Sequence, residues 1–286
     1  AKFFFWKTSK TWLHIQDLEI DAAIKLNILK IGLFNFLLKN FETFIFNQFD
    51  GLSTISKEME AQIQRSNINK KKITIIRNWA DQQKINASLE RKLLTKKFKK
   101  DLGINNNEIV VMYSGSLNKK QDLDILLFAI KECPINQNIR WILSIEGPSK
   151  KFIIDNIGNL KNVIIKNLHP SKTLLSWLEI ADIHLLPQKK NADIFSMPSK
   201  LIGILASAKP VVASSYNITE LGIIVNQVGI TTPPGDKYKF LEGILKLASD
   251  ESLRKKLGQN GIKLINKLYS KDDNLKNLLE AFKKLI

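Results

Sequence analysis

The apolar positions of this chain follow two alternating patterns. From Ile109 onward, short runs that are apolar throughout are separated by stretches in which apolar residues recur every three or four positions. "IVVMYSG" (109–115) precedes a period marked by Leu123, Leu126, Leu127 and Ile130, and "IRWILSIEG" (139–147) precedes a polar helix. "NVIIKNL" (162–168) precedes Leu174, Leu175 and Leu178, after which "DIHLLP" (182–187), "PVVAS" (210–214) and "VGITTPP" (228–234) continue the series. Uniformly apolar strands separated by helices predict an α/β fold with a parallel sheet covered on both faces, the doubly wound arrangement.

Upstream, "TWLHIQD" (11–17), "FDGLSTIS" (49–56) and "KITIIRNW" (72–79) predict three strands, separated by an apolar helix within 24–49 and by "KEMEAQIQ" (57–64). Doubly wound domains usually carry five or six strands. The expected organisation is therefore a partial N-terminal Rossmann-like domain over 1–83, beginning partway through, and a complete C-terminal Rossmann-like domain over 108–268. Between them, 84–107 reads as a linker helix with Leu89, Leu93 and Leu94 on one face. The last segment, 269–286, reads as a helix that packs back on the first domain.

Charge and cysteine usage narrow the chemistry. Lys and Arg number 44 against 27 Asp and Glu, a formal charge of +17. That favours a polyanionic neighbour: an anionic membrane, a nucleic acid or a phosphorylated substrate. The lysines lack aromatic interleaving or a recognisable reading module, so nucleic acid is set aside. The single Cys133 excludes an intramolecular disulfide, and His14, His169 and His184 are too scattered for a zinc-type cluster. A reducing cytoplasm and a metal-free, cofactor-free mechanism are expected. The opening residues lack the sustained apolar core and cleavage site of a signal peptide. The uncharged run Ile31–Leu38 falls far short of the ~20 residues that span a bilayer. The 24–49 segment is then either a helix on a membrane surface or a buried domain helix, and the chain is cytoplasmic or peripheral on the inner face of the plasma membrane.

In an open parallel sheet, ligands bind beyond the carboxyl ends of the strands. After the first strand of the second half comes "SGSLNKKQD" (114–122), where Gly115 flanked by Ser114 and Ser116 lets backbone approach a ligand, and Lys119 and Lys120 precede a helix. These suit a phosphate, or form an ordinary glycine turn with solvated lysines. "EGPSKK" (146–151) repeats the device with Gly147. His169 stands at the mouth of the same sheet or simply leads into a helix, whereas His184 reads as a core imidazole with a hydrogen-bond partner.

The stretch "MPSKLIGILASAKPVVAS" (197–214) predicts a short helix with Pro198 in its first turn, Ser196 or Met197 as its cap, and Leu201, Ile204, Leu205 and Ala208 on its buried face. Lys200 in the first turn opposes the helix macrodipole unless an anion sits there, and a diphosphate is the simplest candidate.

Together "PSKLIGILASAKPVVAS", "YSGSLNKKQDLDILLFAI", "ADIHLLPQ", "TEL" (219–221) and "RNWAD" (77–81) resemble the family 4 (group 1) glycosyltransferases of the GT-B fold, in the branch of capsular, colanic-acid and lipopolysaccharide assembly. The resemblance runs from about Leu13 to the C-terminus. It implies a metal-independent, retaining transferase that moves a sugar from a UDP- or GDP-linked donor to a saccharide or lipid-linked acceptor. It further implies Gly115, Ser116 and Lys120 as the phosphate loop, with Gly147 nearby, and Leu168 and His169 as the nucleobase segment. Asp193 through Lys200, with Pro198, Ser199 and then Leu201, would hold donor sugar and phosphates, Thr219 and Glu220 would lie near the ribose, and His14 and Asp17 would lie on the acceptor side. Lys120, Lys200 and Asp193 are the expected catalytic set.

The sequence departs from that family at three places. The two glutamates that many members carry seven residues apart fall on Phe195 and Gly203, with Asp193 the nearest carboxylate to the first. The arginine often found beside the first loop's glycine is replaced by Ser116, which throws diphosphate binding onto Lys120 and Lys200. A nucleotide-sugar epimerase and a catalytically impaired nucleotide-sugar-binding protein are the competing readings.

Overall fold

A computed structural model describes residues 9–25, 32–66, 68, 73–80, 89–134, 137–190, 192 and 197–285. The chain divides into two compact units, one comprising 1–79, 191–197 and 269–286, the other 80–190 and 198–268.

The first unit carries the parallel strands β1 (Trp12–Ile15), β2 (Gly51–Thr54) and β3 (Ile73–Ile75), in that spatial order. Helices α1 (Glu19–Lys25) and α2 (Leu33–Gln48) connect β1 to β2, and α3 (Lys57–Arg65) connects β2 to β3. Strand β2 is buried along its whole length, as a central strand must be. The α3 start is fixed by Ser56, whose hydroxyl accepts the Met59 N–H, and its inward face is Met59 and Ile63 at helical spacing. Gly51 is dictated by packing, since a Cβ there would lie 2.3 Å from the Trp12 ring.

The second unit is a six-stranded, wholly parallel sheet. Its strands are β4 (Ile109–Ser116), β5 (Ile139–Glu146), β6 (Val163–Lys166), β7 (Ile183–Leu186), β8 (Val211–Ser214) and β9 (Gly229–Thr232), in the spatial order β6-β5-β4-β7-β8-β9. Counted from β4, this is the 3-2-1-4-5-6 order of doubly wound nucleotide-binding folds, with its switch point between β4 and β7. The helices are α4 (Leu89–Asp101), α5 (Leu123–Glu132), α6 (Lys150–Ile157), α7 (Leu174–Leu178), α8 (Lys200–Ala206), α9 (Glu220–Val228), α10 (Lys237–Ser249) and α11 (Glu251–Leu268).

Alternation along β4 builds two cores. Val111 and Tyr113 join Trp141, Leu143, Ile183 and Leu185 under α5, α6 and α10. Val110 and Met112 join Ile142, Trp177 and Leu178 on the other face, where Phe98 and Leu102 pack.

The segment expected as a linker proves to be part of this second layer. On α4, Phe98 meets Trp177 and His169 edge-on, Arg91 pairs with Glu179 at 2.9 Å, and Thr95 bonds the Ser176 carbonyl at 3.1 Å. The packed face is thus Arg91, Thr95 and Phe98, whereas Leu89 and Leu93 are exposed. Polar groups with partners supply much of the contact, which hydrophobic periodicity alone does not register. The final helix, α12 (Lys271–Lys283), lies in the first unit, where buried Asn274 accepts the Arg77 N–H at 2.9 Å and Phe282 meets Trp12 edge-on.

Candidate functional site: the pocket at the sheet switch point

A cavity of about 300 Å³ opens at the carboxyl end of β4, beside β7, its neighbour at the switch point. Ser114 and Gly115 come from β4, His184 from β7, Leu168 and His169 from the loop after β6, Leu174 and Leu178 from α7, and Ser199, Lys200, Gly203 and Ile204 from the start of α8. All of them belong to the second unit.

Lys200 is the pocket's cation. Its Nζ donates to Tyr113 Oη at 3.0 Å and stands 4.3 Å from the centroid of the Tyr113 ring. Tyr113 Oη in turn donates to the Ser116 carbonyl at 3.0 Å. The ammonium lies directly over Gly115, where a Cβ would come within 2.6 Å of Nζ. Gly115 also has φ +149°, a conformation that favours glycine. Among the described residues no carboxylate pairs with Lys200. Desolvation pulls its pKa down from the ordinary lysine value to about 8, so an anion entering the pocket would stabilise the charged form.

The helix-dipole account of Lys200 needs correction. Helix α8 has seven residues, and its N-cap is Ser199, which makes no side-chain capping bond. Pro198 therefore precedes the helix instead of occupying its first turn, and its carbonyl accepts the Leu201 N–H at 3.0 Å. So short a helix has little macrodipole to oppose the lysine. Burial, with no carboxylate partner among the described residues, carries the effect instead.

The remaining walls are apolar or neutral. His169 stacks on Trp177 at 4.2 Å between centroids, and its Nδ1 lies 3.0 Å from Thr173 Oγ1. Burial lowers its pKa. His184 is 1% exposed, and its Nε2–H donates to the Leu178 carbonyl at 3.1 Å. Desolvation, reinforced by the Lys209 charge, depresses its pKa to about 3, so it is neutral at ordinary pH. The core-imidazole reading thus matches its contacts, although the ring also forms part of the cavity wall. Gly203 brings α8 against α7, since a Cβ there would touch Leu178 Cδ1 at 3.0 Å.

Other expected site residues lie outside the cavity lining. Lys120 sits on the turn before α5, in a loop that satisfies its own backbone: Asn118 Oδ1 accepts the Lys120 N–H, Gln121 Oε1 accepts the Asn118 N–H, and Asp122 caps the helix. The amides expected to receive a phosphate there are thus partly taken. Gly147 packs against the β4 loop, where its Cβ would lie 2.7 Å from the Leu117 carbonyl. Ser116 is exposed at the end of β4, and Leu201 is buried. Thr219 caps α9 by accepting the Gly222 N–H, and Glu220 is buried in its first turn. His14 and Asp17 lie in the first unit, where Trp12 Nε1–H donates to Ser53 Oγ at 2.8 Å and Ser53 Oγ lies 2.8 Å from His14 Nδ1. Asp193 and Phe195 fall outside the described residues.

Tyr113, Leu174, Leu178 and Ile204 were not marked by sequence reasoning as site residues. For Tyr113 a signal existed: it is two residues before Gly115, and strand alternation puts both on one face.

A doubly wound domain with a cationic pocket at its switch point has the architecture in which open α/β sheets place their ligands. Residues 95–264 match the family model described as glycosyl transferases group 1, and the chain belongs to that family. It is 27% identical over 222 residues to WcaI of Escherichia coli K12, named for colanic acid biosynthesis; the match covers 75% of this chain and 53% of WcaI. It is 24% identical to the Methanocaldococcus jannaschii glycosyltransferase MJ1069, over 100% of this chain and 71% of that one. The Anabaena protein HepE, solved in complex with UDP, superposes with a TM-score of 0.79 at 15% identity, over 99% of this chain and 74% of that one. The fold is of the GT-B type. The chain thus spans about half the length of WcaI.

Proposed function

We propose that this chain forms part of a family 4 glycosyltransferase of surface-polysaccharide assembly. In this reading the enzyme transfers a sugar from a UDP- or GDP-linked donor to a saccharide or lipid-linked acceptor, with retention and without a metal. The observation that carries the reading is Lys200: an ammonium without a carboxylate partner among the described residues, held over Gly115 at the switch-point cavity. During transfer, the bond between the anomeric carbon and the diphosphate oxygen breaks while the acceptor hydroxyl oxygen bonds to that carbon from the same face and passes its proton to the departing diphosphate. Negative charge grows on the departing diphosphate, and a pre-placed cation stabilises that charge most in the transition state.

Lys200 takes the diphosphate role, and Lys120 and Ser116 stay assigned to the phosphate loop. Leu168 and His169, on the apolar side next to Trp177, take the base, while Thr219 and Glu220 stay assigned to the ribose end and Asp193 to the donor sugar. His14 and Asp17 are assigned to the acceptor.

A second reading, binding without turnover, is favoured by Gly203, which leaves no carboxylate at that wall of the pocket. The two separate in one assay: release of UDP or GDP from a panel of nucleotide sugars, with Lys200→Ala alongside. Turnover lost in Lys200→Ala supports the transferase; tight binding with no turnover of any donor supports the binding protein.

The expected anionic-membrane contact has one supporting feature. Phe36, Leu37, Phe41 and Phe44 are 56–63% exposed on α2, as on a helix that lies in a lipid interface. No described helix is long and apolar enough to cross a membrane. Co-sedimentation with phosphatidylglycerol vesicles, lost in a Phe41→Ser, Phe44→Ser variant, would support a peripheral membrane contact; no sedimentation would remove it.

A further inference from the structure

We infer that Tyr113 is a positioning residue for Lys200: its hydroxyl and ring face hold the ammonium over Gly115, where the diphosphate is to bind. The inference rests on the donor-site reading of the pocket and adds to it a residue that touches no ligand.

Tyr113 is fully buried on β4, yet its hydroxyl reaches the strand's carboxyl end. There its proton goes to the Ser116 carbonyl at 3.0 Å, so the oxygen presents a lone pair to Lys200 Nζ, also 3.0 Å away. The ring face adds the electrostatic attraction of its quadrupole for a cation at 4.3 Å. Gly115 supplies the space, because any side chain there would meet the ammonium.

The neutrality of the partner is what matters chemically. An aspartate in place of the phenol would grip Lys200 harder but cancel its charge, leaving an incoming diphosphate to face a neutral pair. The phenol orients the ammonium and leaves its charge whole. Burial also pushes the Tyr113 pKa up, so the phenol does not ionise and take over the counterion role.

The test is a double-mutant cycle with Tyr113→Phe, Lys200→Met and both together, read by calorimetric titration of UDP, GDP and inorganic diphosphate into the full chain. Tyr113→Phe keeps the ring and its packing and removes only the hydroxyl. It is expected to weaken binding about ten- to a hundredfold, the usual effect of a hydrogen bond to a charged group, and to add no loss once Lys200→Met is present. The pH at which affinity starts to fall should also move down in Tyr113→Phe, which a merely packed tyrosine would not cause. Equal losses in both backgrounds, or no loss with Lys200 in place, overturn the positioning role alone if Lys200→Met still weakens binding. Undiminished binding in Lys200→Met, or no binding by the unaltered chain, removes the donor site and the positioning role together.

Discussion

Lys200 Nζ and Tyr113 Oη, 87 residues apart in sequence, stand 3.0 Å from each other at the carboxyl end of β4. The pair explains how a cation can be held at a partly buried site without being neutralised. It also ties α8 to the first strand of the second unit.

Because desolvation lowers the Lys200 pKa to about 8, ligand affinity should depend on pH in a defined direction. Below 8 the ammonium is in place. Above it the free protein loses the charge that a diphosphate needs, so affinity should fall by up to about tenfold per unit until the lysine of the complex itself titrates. Calorimetry with UDP between pH 7 and 9 checks this, and a flat profile would sever Lys200 from binding. The linked stability effect has the opposite sign. Between 8 and the unfolded value of 10.5 the unfolded chain holds a proton that the native one has released, so the unliganded protein gains stability as pH rises through that window.

Gly115→Ala should act on binding as well as on folding. The added methyl collides with Lys200 Nζ, the mobile end of a long side chain. The collision moves the ammonium off Tyr113, and the φ of +149° adds backbone strain. An affinity loss of about tenfold or more is expected, with an unfolding free energy lowered by about 1–2 kcal/mol. Retained affinity would show that the ammonium need not sit over the glycine.

His184 should shape the acid limb of the stability curve. Its native pKa is near 3 against 6.5 unfolded. As pH falls from 6.5 towards 3, the unfolded chain takes up a proton that the native chain refuses, and stability should fall by about 1.4 kcal/mol per unit on this account alone. In His184→Gln the acid limb should be flatter by one proton, whatever the variant costs at neutral pH. An unchanged slope in urea titrations at pH 4–6 would assign the acid limb to other groups.

Ala208, the residue after the α8 C-cap Ser207, has φ +54° and is exposed. This is the left-handed position that glycine usually fills after a helix. Ala208→Gly should therefore raise stability by about 0.5–1 kcal/mol, strain relief outweighing the unfolded chain's extra freedom. A lowered urea midpoint would mean that the methyl group is better accommodated than the dihedral angle implies.

The sheet was legible because buried parallel strands advertise themselves. "IVVMYSG", "DIHLLP" and "PVVAS" are mostly apolar; β7 and β8 fall inside theirs, and β4 runs one residue beyond the first. Gly115 and Lys200 could be picked out as a glycine at a strand end and a lysine where an anion was expected, but the reason Lys200 is special could not. Its neighbour Tyr113 reads as an ordinary core aromatic until the fold brings α8 across the end of β4. Helix α4 reads as a linker in the sequence because its packed face uses Arg91 and Thr95, whose value depends on the partners Glu179 and Ser176 more than 80 residues away. The lysine turn at 119–120 resembled an anion site by composition, but Asn118, Gln121 and Asp122 already occupy several of its amides.

Everything proposed for the pocket turns on the Lys200 ammonium receiving a nucleoside diphosphate at the β4–β7 switch point. Titration of UDP and GDP into the unaltered chain and into Lys200→Met tests it most directly. Saturable binding of at least one nucleotide, weakened about tenfold or more in Lys200→Met, is the result expected. Equal affinity in the two proteins would contradict it.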